Sequence, residues 1–216
     1  NATAELLAYI KETAGQKAAD MASIRKIVFE PNHREKFWHK NCVAIGMSAG
    51  FIEPLEASAL VLVELSAAMV AEQLPANRKI TDIVAKRFNK KFSYRWNRII
   101  DFIKLHYILS KRTDTDYWVD NCRAVSIPES LQELIDIWHY QVPWHRDSDH
   151  IDEMFPSASF QYVLYGMDFK TEINPMTKRA DREAGMEARA MFIENAKLAQ
   201  RLATSMPTNR ELINKI

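Results

Sequence analysis

The most regular hydrophobic pattern in the chain lies between residues 80 and 106. Ile80, Val84, Phe88, Phe92, Trp96, Ile99, Ile103 and His106 recur at steps of three and four, which places them on one stripe of an α-helix. At about 1.5 Å per residue the stripe runs roughly 40 Å, as one helix or as two with a bend. Lys86, Arg87, Lys90, Lys91, Arg95 and Arg98 form its polar face. Such a run is expected to be solvated, with Arg87 or Arg95 laying its stem over the rings. Upstream, residues 55–74 are apolar and Ala-rich and end at Pro75, the pattern of a buried helix with Pro54 in its first turn. Shorter helical patterns fall at residues 4–13, 131–140, 160–165, 181–202 and 209–216.

Strand patterns are scarce. Residues 25–30 (Arg-Lys-Ile-Val-Phe-Glu, closed by Pro31) and 41–45 read as strands, too few for a sheet of their own. The fold class expected is mainly α with a few short β-strands. It is either an α-rich domain or a body whose strands complete a sheet with members elsewhere.

Composition narrows the function. Five of the 216 residues are glycine, at 15, 46, 50, 166 and 185, and no two are spaced Gly-x-Gly. Rossmann and Walker loops both need closely spaced glycines so that backbone can approach phosphate; neither occurs in this sequence. Twenty-nine basic against 28 acidic side chains give a net charge of +1, so neither a nucleic acid nor a membrane surface is indicated as partner. No apolar run approaches the roughly 20 residues of a membrane helix, and the start has no signal-peptide layout. Cys42 and Cys122 do not make a disulfide framework, which points to a reducing, cytoplasmic setting. Cys42, in an apolar strand, is expected to be a buried structural thiol. Cys122 has no histidine or lysine near it in sequence to activate it. The cluster from His145 to Glu153 matches neither zinc spacing nor a calcium loop, so a solvated acidic loop and no metal site are expected.

Residues 41–60 read as a strand, a turn of small residues and a helix start. A turn that opens a helix presents unpaired N–H groups, and the helix dipole makes that place attractive to anions. Small side chains at Gly46, Ser48, Ala49 and Gly50 let a flat cofactor or an ion approach the backbone. Glu56 falls in the first helical turn. Taken locally, the same residues also describe an ordinary turn with Glu53 as cap and Glu56 as a solvated acid.

The whole string is more specific. Gly46-Met-Ser-Ala-Gly-Phe-Ile-Glu-Pro-Leu-Glu-Ala-Ser58 closely resembles a segment of the flavin-dependent tryptophan halogenases. Phe37-Trp-His-Lys-Asn-Cys-Val-Ala44, His106-Tyr107, Arg112-x-Asp-Thr-x-Tyr-Trp118 and Phe160-Gln-Tyr-Val-Leu-Tyr-Gly-Met167 are similar to further family segments in the same order. The resemblance covers about residues 25–168. Family members are about twice this long, and their flavin loop, Trp-x-Trp-x-Ile-Pro signature and active-site lysine belong to the other half. The chain is therefore expected to be the C-terminal portion of such an enzyme, inactive alone. Residues 1–60 would end the flavin-binding core and residues 61–216 would form a helical substrate-binding domain.

The resemblance implies chemistry in which reduced FAD and oxygen oxidise chloride or bromide, and an aromatic, indole-like ring is then halogenated. It implies Glu56 as the catalytic carboxylate, Gly46, Gly50, Phe51 and Pro54 along the flavin, and the amides of Ser58 and Ala59 as the halide-binding pair. His106, Tyr107, Tyr117 and Trp118 match aromatic positions of the substrate site. Thr113 or Asp114 stands where the family has a glutamate for the substrate amine, and Ala57 replaces a serine, which leaves the substrate open between tryptophan and another indole-like ring. The implied partners are a separate flavin reductase and the missing N-terminal flavin-binding half, and a homodimer is compatible with it. Two other readings remain at this point: a related flavin monooxygenase without halide chemistry, and a non-enzymatic α-helical binding module that uses the aromatic stripe as a groove.

Overall fold

A computed structural model describes residues 2–148, 153–172 and 182–216, without the side chains of residues 182 and 183. The chain divides into two compact units, residues 1–96 and 97–216. Helices dominate both, with strands only two residues long. No described helix is long and apolar enough to cross a membrane.

The first unit opens with α1 (Ala2–Ala14) and α2 (Gln16–Met21), separated at Gly15, whose φ of 88° is a left-handed value suited to glycine. Residues 25–30, expected as a strand, have no regular secondary structure. A β-branched run forms a strand only where a partner strand lies alongside, and none of the described residues supplies one. Phe29 instead meets Phe51 edge-on at 4.3 Å, while Ile27 and Val28 are exposed. Strand pairing starts later, where β1 (Asn32–His33) runs antiparallel to β4 (Gly50–Phe51). β2 (Trp38–His39) and β3 (Cys42–Val43) form a hairpin, its two-residue turn holding Lys40 at φ 54°. The expected strand at 41–45 is thus reduced to β3. Cys42 is exposed rather than buried, because a two-residue hairpin leaves its side chain uncovered.

The helix expected over 55–74 begins later. A 3₁₀ turn, Leu55–Ala57, precedes α3 (Ser58–Glu72), and the cap position belongs to Ala57 rather than Glu53. The long stripe forms one unbroken helix, α4 (Arg78–Ile108). Phe88, Phe92, Trp96, Ile99 and Ile103 are buried as the spacing requires, whereas Ile80 in the first turn is exposed. The basic face divides: Lys86, Arg87, Lys90 and Lys91 are solvated, but Arg95 is buried with its guanidinium 5.2 Å above the Phe92 ring.

In the first unit Asn89 substitutes for a strand. Its Oδ1 accepts from the backbone N–H groups of Phe37 and Trp38, both at 2.8 Å, and its Nδ2 donates to the Trp38 carbonyl at 2.8 Å. One side chain thereby supplies the ladder bonds that β2 lacks and pins Phe37 and Trp38 in the core.

The second unit holds α5 (Asp116–Asn121), α6 (Glu129–Trp138), α7 (Ser157–Gly166), α8 (Arg182–Ser205) and α9 (Asn209–Ile213). Its core is built from Phe102, Leu105, Leu131, Leu134, Ile135, Trp138, Phe160 and Leu164. The described side chains of α8 and α9 are exposed.

Candidate functional site

In the first unit, the backbone between Ile45 and Ala59 determines the geometry. Ile45 is extended, and the Ser48 hydroxyl closes the next turn by accepting from the Ile45 N–H at 3.1 Å and donating to its carbonyl at 2.8 Å. Gly46 has φ 63°, which a side chain would strain, and Gly50 leaves no room for one. A Cβ on Gly50 would sit 2.7 Å from the His33 Cβ and 2.8 Å from the Asn32 carbonyl oxygen. The missing side chain at Gly50 is thus what allows β1 to close on β4.

Beside this turn lies an apolar cavity of about 200 Å³. Gly46, Gly50, Phe51 and Ala59 line it together with Phe37, Phe92 and Trp96. Pro54 and Glu56 are exposed and stand outside that lining. Glu56 (φ 67°, ψ 5°) and Ala57 (φ 52°, ψ 26°) are two successive non-glycine residues in left-handed conformations. Each costs on the order of 1 kcal/mol, and such strain concentrates at functional sites. α3 then starts with no side chain capping it, and alanine is a poor cap. The first helical residue, Ser58, is buried, and its Oγ has no hydrogen-bond partner among the described residues. An uncapped helix start beside a buried, unsatisfied hydroxyl is suited to hold an anion.

In the second unit, three of the four expected aromatic residues come together. Tyr107 meets Tyr117 edge-on at 5.8 Å and Trp118 at 5.5 Å with a 32° tilt, and Tyr117 meets Trp118 edge-on at 5.5 Å. His106 packs edge-on against Phe102 at 5.1 Å, one turn back along α4. Its Nδ1 donates to the Phe102 carbonyl at 2.8 Å, since a carbonyl can only accept.

Lys104, Asn121 and Ser126, which sequence patterns did not single out, hold this cluster. Lys104 donates to Asn121 Oδ1 at 2.8 Å and to Ser126 Oγ at 3.0 Å, and Asn121 donates to the Tyr117 carbonyl at 2.9 Å. These bonds fasten α5 to the end of α4. Partial burial lowers the Lys104 ammonium from its ordinary value. Arg112 lies 4.3 Å over the Trp118 ring and is gripped by Asp114 through Nε (2.9 Å) and a terminal nitrogen (2.7 Å). The hydrogen bond from Arg112 holds the Asp114 carboxyl below the usual range.

Deeper in the same unit, Asp101 is 1% exposed. Ser130 Oγ donates to its two oxygens at 3.0 and 2.8 Å, and Arg98 pairs with it at 3.1 Å. Burial still pushes the Asp101 carboxyl above its ordinary value, because the Ser130 and Arg98 contacts only partly offset lost hydration and Glu153 adds like charge. Arg98 also faces Glu153 at 3.6 Å. The expected solvated loop is therefore structural in part. Asp147 accepts from Trp138 Nε1 and from the Trp144 N–H, both at 2.8 Å, and Ser148 donates to Glu153 at 2.6 Å. Asp149, His150, Ile151 and Asp152 lie outside the described residues. Among the described residues, no group of three or more His, Cys, Asp or Glu side chains is arranged to hold a metal ion.

Known proteins identify the family to which the chain belongs. Residues 1–182 match the tryptophan halogenase family, and the chain belongs to it. It is 42% identical to a tryptophan halogenase from Shewanella frigidimarina, with a TM-score of 0.85 over 98% of this chain and 40% of that one. BrvH, a flavin-dependent halogenase from Brevundimonas, is 31% identical, with a TM-score of 0.76 over 91% of this chain and 38% of its own. Tryptophan 6-halogenase SttH of Streptomyces toxytricini is 30% identical over 160 residues, 73% of this chain and 29% of SttH. The chain thus spans about 30 to 40% of these relatives' length.

Proposed function

We propose that this chain forms the helix-rich, substrate-facing portion of a flavin-dependent halogenase acting on an indole-like aromatic substrate. The observation that carries the reading is the start of α3. Two left-handed residues, Glu56 and Ala57, lead into an uncapped helix whose first side chain, Ser58, is buried with an unsatisfied hydroxyl. A fold does not keep such strain and an orphaned polar group for stability alone.

The residues present fit the groups this family uses. When bound, reduced FAD with oxygen supplies the oxidising power that activates halide. Gly46, Gly50 and Phe51 would offer an apolar wall to the flavin ring, and Pro54 follows at the start of the next 3₁₀ turn. The amides of Ser58 and Ala59 at the helix start hold chloride or bromide, favoured by the helix dipole. Glu56 supplies a carboxylate for acid/base or electrostatic work. Tyr107, Tyr117 and Trp118, with His106 beside them on α4, take the aromatic ring. The FAD phosphate loop and the catalytic lysine belong to a flavin-binding portion outside these 216 residues, so this chain by itself does not turn over. A separate flavin reductase supplies the reduced cofactor, and the setting is the reducing cytoplasm.

The test uses protein expressed from the complete reading frame that encodes this chain, with FAD, a flavin reductase, chloride or bromide and a panel of indoles. Halogenated product with the isotope pattern of the added halide is expected. Sustained flavin turnover without halogenation of any arene would overturn the reading.

A further inference from the structure

The family resemblance leads one to look near residues 113 and 114 for a carboxylate that holds a substrate amine. The geometry is of opposite polarity. Both oxygens of Asp114 are engaged by Arg112, at 2.9 and 2.7 Å, and the guanidinium lies 4.3 Å over Trp118 in the aromatic cluster. A guanidinium is a rigid planar fork with two edges that match a carboxylate. One edge is formed by Nε and a terminal nitrogen, the other by the two terminal nitrogens. Asp114 occupies the first. The second points away from Asp114, and the Arg112 side chain is 57% exposed, so a dissolved anion can reach it.

We propose that Arg112 is a specificity-determining residue, whose outer edge binds the carboxylate of an aromatic acid while the acid's ring meets Tyr107, Tyr117 and Trp118. The assignment rests on reading that cluster as the substrate site. Asp114 is the positioning residue: its two hydrogen bonds fix the plane of the fork and leave one edge for the ligand. An aromatic amine gains little here, since both Asp114 oxygens are already engaged by Arg112. A charge-assisted bidentate contact, weakened by exposure and salt, favours the acid by about tenfold over a neutral analogue.

Calorimetric binding to protein from the complete reading frame provides the test, with indole-3-acetate, 3-methylindole and tryptamine as probes. Wild-type protein is expected to bind them in that order of decreasing affinity, the first two about tenfold apart. Arg112→Gln should bring indole-3-acetate to within about twofold of 3-methylindole. Arg112→Lys should keep only part of the preference, because charge remains without the second hydrogen bond. Equal affinities in the wild type, or an undiminished preference in Arg112→Gln, would overturn the assignment while leaving the aromatic site standing. Failure of all three probes to bind would overturn the aromatic site as well.

Discussion

Asp101 is a buried carboxyl whose titration burial pushes above the ordinary carboxylate range. It binds its proton more tightly in the folded chain than in the unfolded one, since burial outweighs the help from Ser130 and Arg98. For such a group the folded state holds more protons between the ordinary carboxylate value and the raised one. Its contribution to stability is therefore greatest below the ordinary value and is lost as pH rises through the raised native value. Asp101→Asn removes this dependence and keeps an acceptor for Ser130. The variant's stability relative to wild type should rise as pH increases across that window, measured by urea unfolding at several pH values. A difference that is flat or opposite in slope would show that the Arg98 pair dominates.

Gly50 gives a second prediction at this scale. A methyl group there meets backbone and Cβ atoms of β1 at 2.7 to 2.8 Å, closer than packed atoms come. Gly50→Ala should destabilise the chain by about 1–3 kcal/mol, the usual cost of overpacking. An unchanged urea midpoint would mean that β1 shifts freely. This glycine sits within a string that resembles a flavin wall, yet its local requirement is the β1–β4 pair.

At the level of elements, the two-residue strands cannot stand on their own bonds, and Asn89 on α4 supplies what β2 lacks. Asn89→Ala removes three hydrogen bonds and leaves two backbone donors unsatisfied beside the core, which should cost about 2–4 kcal/mol. Amide hydrogen exchange should accelerate most at Phe37 and Trp38. Uniform acceleration across the first unit would instead indicate a general loss of packing.

Periodicity made the helices legible, because burial of one face is written every three or four residues. Phe88, Phe92, Trp96, Ile99 and Ile103 were readable as one stripe for that reason. Asn89, inside the same helix, was not, since a polar residue's partners 51 and 52 positions away leave no local trace. The strand expected at 25–30 failed for a related reason. β-propensity describes a surface to be covered, and the covering strand is not among the described residues of this chain. Tyr107, Tyr117 and Trp118 were singled out by the family resemblance, but the pairing of Arg112 with Asp114 and the tie from Lys104 to Asn121 depend on how α5 folds back on α4. No spacing rule encodes that. Cys42 was misjudged because an apolar neighbourhood in sequence became an exposed hairpin in space.

The whole molecule consists of two compact units, one carrying the strained helix start and the other the aromatic cluster. The chain belongs to the tryptophan halogenase family and spans 40% or less of the relatives described above. The role proposed for Glu56 is in halide-dependent substitution on an aromatic ring. The most direct measurement compares Glu56→Gln with wild type in the reconstituted assay, following halogenated product and flavin oxidation together. The account predicts a loss of halogenation on the order of 100-fold or more, the usual scale for a positioned acid/base group, with flavin oxidation continuing. Halogenation undiminished in the variant, or oxygenated product formed by wild type without any need for halide, would contradict it.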